Sequence, residues 1–116
     1  MKALVISMIF FSQFSMAARI VSASWNANSQ SVVVDLVYQG NCLAHNFNIE
    51  WQACAVDPTT QKVVRLGLII DSGWQDTCAS VDQYQTITVA EPTDGCPTQS
   101  LILKSTSSKI PVVVEK

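Results

Sequence analysis

The hydrophobic pattern of residues 31–38 repeats every two positions. Val32, Val34, Leu36 and Tyr38 fall on one side of an extended chain, and the residues between them fall on the other. A repeat of two is typical of a β-strand, because successive side chains of a strand point to opposite faces. The stretch is also rich in β-branched residues, which favour strands. The pattern therefore predicts a strand over residues 31–38.

The same alternation continues through residues 38–54, which contain two of the four cysteines and the only histidine. It predicts a half-buried strand over residues 43–52, and the neighbouring strands are expected to cover and brace that strand. The side of the strand expected to face the core carries Leu43, His45, Phe47, Ile49 and Trp51.

Five more stretches have strand patterns, and they are separated by turns rich in Gly, Pro, Asn and Asp: residues 18–25, 62–70, 84–90, 100–104 and 110–115. The strand at 62–70 is nearly apolar on both faces, and Pro111 makes the last strand an edge strand. Trp25 and Trp51 are expected in the core. Seven short strands without helical periodicity predict an all-β protein, a single small antiparallel β-sandwich of the immunoglobulin-like or Greek-key kind, stapled by disulfides.

The first 17 residues have the order of a secretory signal peptide. Lys2 is followed by an apolar run over residues 3–14 and then by small residues, and this run is too short to span a bilayer comfortably. Its removal would leave one domain of 99 residues, 18–116, in a secreted or periplasmic bacterial protein. Loss of Lys2 leaves six Lys and Arg against nine Asp and Glu, a net charge of −3. A mildly acidic chain without a basic cluster is not expected to bind nucleic acid.

All four cysteines follow the leader, and an even number in a short exported chain predicts two disulfides. Cys42 and Cys54 would lie at opposite ends of the strand predicted over 43–52, about 30–40 Å apart at about 3.3 Å per residue, too far for a disulfide. A hairpin with the next strand would return the chain toward Cys42 and bring Cys78 near it. Cys54 is then left to pair with Cys96.

Two chemical alternatives involve His45. The spacing Cys42-x-x-His45, with Asp76-x-Cys78 farther along, could form a zinc site from Cys42, His45 and Cys78. We favour a disulfide at Cys42 and a hydrogen-bonded histidine at the edge of the core, because a structural zinc site usually has two close Cys/His pairs. A hydrolase that uses His45 is a further alternative. No nucleophile elbow or paired carboxylates support catalysis, so we expect neither an enzyme nor a cofactor.

The turn DSGWQD carries a tryptophan, Trp74, beside Asp71 and Asp76. An aromatic side chain exposed in a turn marks a binding surface, and these three residues are the candidate binding site. The alternative is that Trp74 folds back over the core. We therefore expect a binding or structural module for a protein, a glycan or an envelope component. A version of this expectation is an inhibitor of a secreted hydrolase, with DSGWQDTC or EPTDGCPTQ as the inserted loop.

The segment YQGNC-x-x-H-x-F-x-I, followed later by Asp76-x-Cys78, resembles a pattern in small exported bacterial proteins called NigD-like. Those proteins have a YGGC-x-x-H-x-F stretch and a later D-x-C. The resemblance covers about forty of the residues after the leader. It implies a β-sandwich in which Cys42 is joined to Cys78, and it carries no assigned activity.

Overall fold

The structure is a computed structural model that describes residues 18–40, 44–72, 82–106 and 110–116. The predicted signal peptide, residues 1–17, lies outside the described residues. The described part of the chain forms strands and no helix, which confirms the all-β fold class. Its strands are β1 (Arg19–Asn26), β2 (Ser31–Tyr38), β3 (Phe47–Trp51), β4 (Ala55–Val56), β5 (Val63–Asp71), β6 (Gln83–Ala90), β7 (Ser100–Lys104) and β8 (Val112–Glu115).

The strands form two sheets that pack face to face. Sheet A has the order β1-β2-β6, and sheet B has the order β3-β5-β7-β8, with β4 also paired to β5. Strand β1 lies against β8 and β6 lies against β3, so each edge strand of sheet A faces an edge strand of sheet B. The predicted antiparallel pairing holds with one exception: β5 and β7 are parallel. After β5 the chain crosses to sheet A and forms β6. It then returns to sheet B, where β7 runs in the same direction as β5.

The core lies between the sheets and is formed by the inward side chains of alternating positions. On β2 the side chains of Val32, Val34 and Leu36, which the alternation grouped on one side of the strand, are fully buried. Trp25 and Trp51 pack against the rim of this core, as predicted. The other buried apolar residues of the cluster come from both sheets and from the residue before β1: Ala18, Phe47, Ile49, Ile69, Ile87, Leu101, Leu103 and Val114.

The strand predicted over residues 43–52 is shorter than expected. It begins at Phe47, and residues 44–46 precede it without strand structure. The Asn46 amide donates to the Ser72 hydroxyl, and the Ser72 amide donates to the Asn46 carbonyl, so one side-chain and one backbone hydrogen bond join the chain just beyond the paired residues of β3 and β5. His45 therefore lies just before β3. The two-residue strand β4 was not predicted, whereas β8 is an edge strand after Pro111, as expected.

Three side chains of the core and its rim approach the β5 backbone closely at Gly67. A Cβ atom there would lie 2.7 Å from Ile49 Cγ2, 2.9 Å from Trp51 Cζ3 and 3.0 Å from Leu103 Cδ2. We expect Gly67→Ala to lower the free energy of unfolding by about 1–3 kcal/mol, the usual range for overpacking a core. Urea denaturation measures this change. The exposed Ser24→Ala is the control, with an expected change within about 0.5 kcal/mol; equal effects of the two substitutions would contradict the close approach.

Candidate binding surface and buried ionic clusters

Cys54 and Cys96 form a disulfide with their Cα atoms 6.6 Å apart, as the sequence predicted. Cys54 lies between β3 and β4 of sheet B, and Cys96 lies in the loop that leads from β6 in sheet A to β7. The bond therefore anchors the connection between the sheets. Cys42 and Cys78 lie outside the described residues, and their pairing stays a prediction.

Beside this disulfide lies an ionic group that we call the Arg65 cluster: the buried Arg65, Glu91 and Thr98 and the more exposed Asp94 and Lys116. Arg65 points inward because it alternates with outward residues along β5, and its side chain is only 3 % exposed. Its Nε lies 3.4 Å from Glu91 Oε2. One terminal nitrogen, Nη2, donates to both Asp94 oxygens at 2.8 and 3.0 Å. The other, Nη1, donates to the Gln52 carbonyl at 2.9 Å.

The cluster balances two positive charges against two negative ones. Glu91, 7 % exposed, also pairs with Lys116 Nζ and accepts a hydrogen bond from the Thr98 hydroxyl. Lys116 Nζ in turn lies 4.4 Å from the centre of the Trp25 ring, in a cation–π arrangement. The hydrogen bond from Arg65 and the backbone amide of Cys96 hold the pKa of Asp94 below its usual value. Each buried charge is thus compensated inside the fold.

The loop EPTDGCPTQ, residues 91–99, was one candidate for an inserted inhibitory loop. Its Glu91 and Thr98 are buried, and Asp94 is hydrogen-bonded to Arg65. Two of its side chains point into the domain, whereas Asp94 is half exposed, and the inhibitory loop stays a prediction. The sequence did carry a signal for the cluster, since an arginine on the inward face of an apolar strand requires buried acids.

A second buried group, the His45 cluster, consists of His45, Asp71, Tyr38 and Phe47. His45 Nδ1 lies 3.0 and 2.9 Å from the two Asp71 oxygens, and the side chains are 3 % and 7 % exposed. The ring centres of Tyr38 and Phe47 lie 4.5 and 5.9 Å from that of His45. His45 is therefore a hydrogen-bonded histidine at the edge of the core, the alternative favoured from the sequence.

The expectation that Asp71 belongs to an exposed binding turn is corrected by this contact. Strand β5 extends one residue past Ile70, and the inward alternation then directs the Asp71 carboxylate to His45. The other two candidate binding residues, Trp74 and Asp76, lie outside the described residues, as does the loop DSGWQDTC that carries them.

A histidine oriented by a carboxylate is the base of many hydrolases. Here the imidazole is buried, so a substrate cannot reach it without a rearrangement of the surrounding residues. Within the described ranges, no group of three or more His, Cys, Asp and Glu side chains could hold a metal ion. The predicted alternative zinc ligands Cys42 and Cys78 lie outside those ranges, so this alternative is untested.

The face of sheet B that points away from sheet A carries an apolar surface. We call it the outer B face. Its centre is the outward side of β5, and Ile70 and Val113 are 43 % and 55 % exposed. The strand pairings place the outward apolar residues of three strands side by side: Val64, Leu66, Leu68, Ile70, Ile102 and Val113. Its polar rim includes Asn48, Glu50, Lys104 and Glu115, and the buried Ser100 donates to Glu115 at 3.0 Å.

The outward face of sheet A, the outer A face, has a different chemistry. Asp35 at its centre accepts hydrogen bonds from the Ser22 and Thr86 hydroxyls at 2.9 and 2.6 Å, which lower its pKa. In the next row, Ser24 and Thr88 flank Val33. The two outer faces therefore differ at their centres: polar side chains hydrogen-bond to one another on sheet A, whereas aliphatic side chains line sheet B. At one end of the outer A face the exposed Tyr84 lies beside Val37.

Comparison of the chain with models of known protein families, with characterised proteins and with solved structures finds no match. No family is assigned. The resemblance to NigD-like proteins stays a prediction. In the part of the chain that the structure describes, no helix has the length and apolar character needed to cross a membrane.

Proposed function

We propose that the protein is an exported, disulfide-stabilised binding module and that it contacts a protein partner through the outer B face. One observation carries the proposal: six aliphatic side chains lie side by side on the outer B face, where Ile70 and Val113 are exposed and the other four are half-buried. A contiguous apolar patch with a polar rim is typical of protein interaction sites. A sheet whose strands are apolar on both faces is usually covered on both faces.

The chemistry of the patch favours a protein over a glycan as the partner. Sugar hydroxyls require hydrogen-bonding groups, and an aliphatic surface leaves them unpaired. The aliphatic side chains of Leu66, Leu68 and Ile102 offer no such groups. They can bury the apolar side chains of a protein surface, and the rim charges can then fix the orientation of that partner.

A secreted or periplasmic location is part of the proposal. The predicted signal peptide at residues 1–17 supports it, and so does the Cys54–Cys96 disulfide, since disulfides persist in oxidising compartments. The described ionisable groups support binding over catalysis, because His45, Arg65 and Glu91 are buried and paired within the fold.

Site-specific photo-crosslinking in the native organism tests the proposal. A photoreactive amino acid at position 70, in place of Ile70 on the outer B face, should give an adduct of defined mass with a protein. The same group at position 88, in place of the exposed Thr88 on the outer A face, is the matched control and should give none. Absence of an adduct at position 70, or equal adducts at both positions, would overturn the proposed surface.

A further inference from the structure

We infer that the partner of the outer B face is a second copy of this chain, packed face to face about a two-fold axis. This inference rests on the proposed function and names the partner of the same surface. It is carried by one row of the sheet, in which the pairings set Glu50 of β3, Leu68 of β5 and Lys104 of β7 side by side.

The two charges of this row have opposite signs and lie on opposite sides of the leucine. The backbones of Glu50 and Lys104 each lie about 4.8 Å from that of Leu68, the usual spacing of neighbouring strands. Both side chains are exposed. Neither forms an ion pair with another described residue, whereas Lys62 and Glu115 at the rim of the face pair with each other at 3.2 Å. The row thus presents one anion and one cation without ion-pair partners in the part of the chain that the structure describes.

A two-fold axis parallel to β5 and above Leu68 makes this row complementary to itself. Rotation about that axis keeps each residue at its own height along the strand and exchanges the β3 side of one copy with the β7 side of the other. Glu50 then faces Lys104 of the second copy, Lys104 faces Glu50, and Leu68 meets Leu68. Two sheets packed face to face lie about 10 Å apart. The long side chains of both rim residues can span that gap.

The size of the face predicts a weak dimer. Strand β5 has nine residues, about 30 Å at about 3.3 Å per residue. The strands from β3 to β8 add about 15 Å in the other direction. The product is roughly 450 Å² per copy, or about 900 Å² in total, below the standard size of a specific interface. Association should therefore be sought at micromolar and higher concentrations.

Sedimentation of the mature, oxidised chain between about 1 and 500 µM tests the inference. The unaltered protein should show a reversible monomer–dimer equilibrium. Glu50→Lys and Lys104→Glu should each weaken the dimer by about tenfold or more, because like charges then face each other. An equimolar mixture of these two variants should recover association, since opposite charges face each other again at both rim contacts. Thr88→Lys on the outer A face is the matched control and should leave the equilibrium unchanged.

Three outcomes would overturn the inference, and they bear differently on the proposed function. A monomer at every concentration, with an adduct to another protein from position 70, would overturn the second copy and retain the binding surface. A monomer without an adduct at position 70 would overturn both. A dimer that both charge reversals leave unchanged, or that the mixture fails to restore, would overturn the two-fold arrangement. Circular dichroism and thermal midpoints of the variants establish that each remains folded.

Discussion

Replacing Arg65 with methionine should lower the free energy of unfolding by about 3–5 kcal/mol. Methionine fills much of the volume of the arginine stem, but it leaves Glu91 buried with one of its two cationic partners removed. The Gln52 carbonyl also loses its donor. Buried groups left without partners retain the full cost of desolvation, which makes removal of one partner more harmful than removal of both.

Urea denaturation of the oxidised protein measures this loss. Arg19→Met, which removes an exposed cation from β1, is the matched control and should change stability by no more than about 0.5 kcal/mol. The double variant Arg65→Met/Glu91→Met should be more stable than Arg65→Met alone, because it no longer buries an acid beside an apolar side chain. Equal effects of Arg65→Met and Arg19→Met would contradict the structural role of the Arg65 cluster.

Removal of the Cys54–Cys96 disulfide should cost a similar amount. The bonded residues are 42 positions apart in the sequence. A loop of about that length restricts the unfolded chain by roughly 4 kcal/mol. The double variant Cys54→Ala/Cys96→Ala should therefore unfold about 20 °C lower than the unaltered protein, since each kcal/mol shifts the midpoint of a domain this small by about 4–8 °C. Domains of this size have total free energies of unfolding of about 5–15 kcal/mol, so this loss would remove a large part of the stability.

Calorimetry of the double variant gives the shift, and thiol alkylation of single variants gives an independent check of the pairing. Cys54→Ala should expose one reactive thiol, at Cys96. Cys42→Ala should expose one at Cys78 if the predicted second bond forms. An unchanged midpoint in the double variant would contradict the role of the disulfide in holding the connection between the sheets.

The strands could be predicted where one face is buried and the other is exposed. On β2 the inward positions Val32, Val34 and Leu36 are the ones that the alternation identified. The alternation could not give the start of β3, because it continues through His45 into residues whose backbone does not pair with β5. The hairpin of β3 and β5 could be predicted from the turn between them, and with it the Cys54–Cys96 bond.

Contacts between distant strands were less accessible to sequence reasoning. Arg65, Glu91 and Lys116 come from three parts of the chain, and only the stacking of two sheets brings them together. The outer B face is likewise formed by strands that are distant in the sequence. The sequence indicated that the strand at 62–70 is apolar on both faces, but the row of Glu50, Leu68 and Lys104 requires the parallel pairing of β5 with β7. A local pattern does not specify that pairing.

The central claim is that the protein makes its contacts through the outer B face, and photo-crosslinking at positions 70 and 88 tests it most directly. We predict an adduct at position 70 that disappears when Leu68→Asp is introduced into the same chain, and none at position 88. An adduct at position 88 alone, or one at position 70 that persists with Leu68→Asp in the folded protein, would contradict the claim.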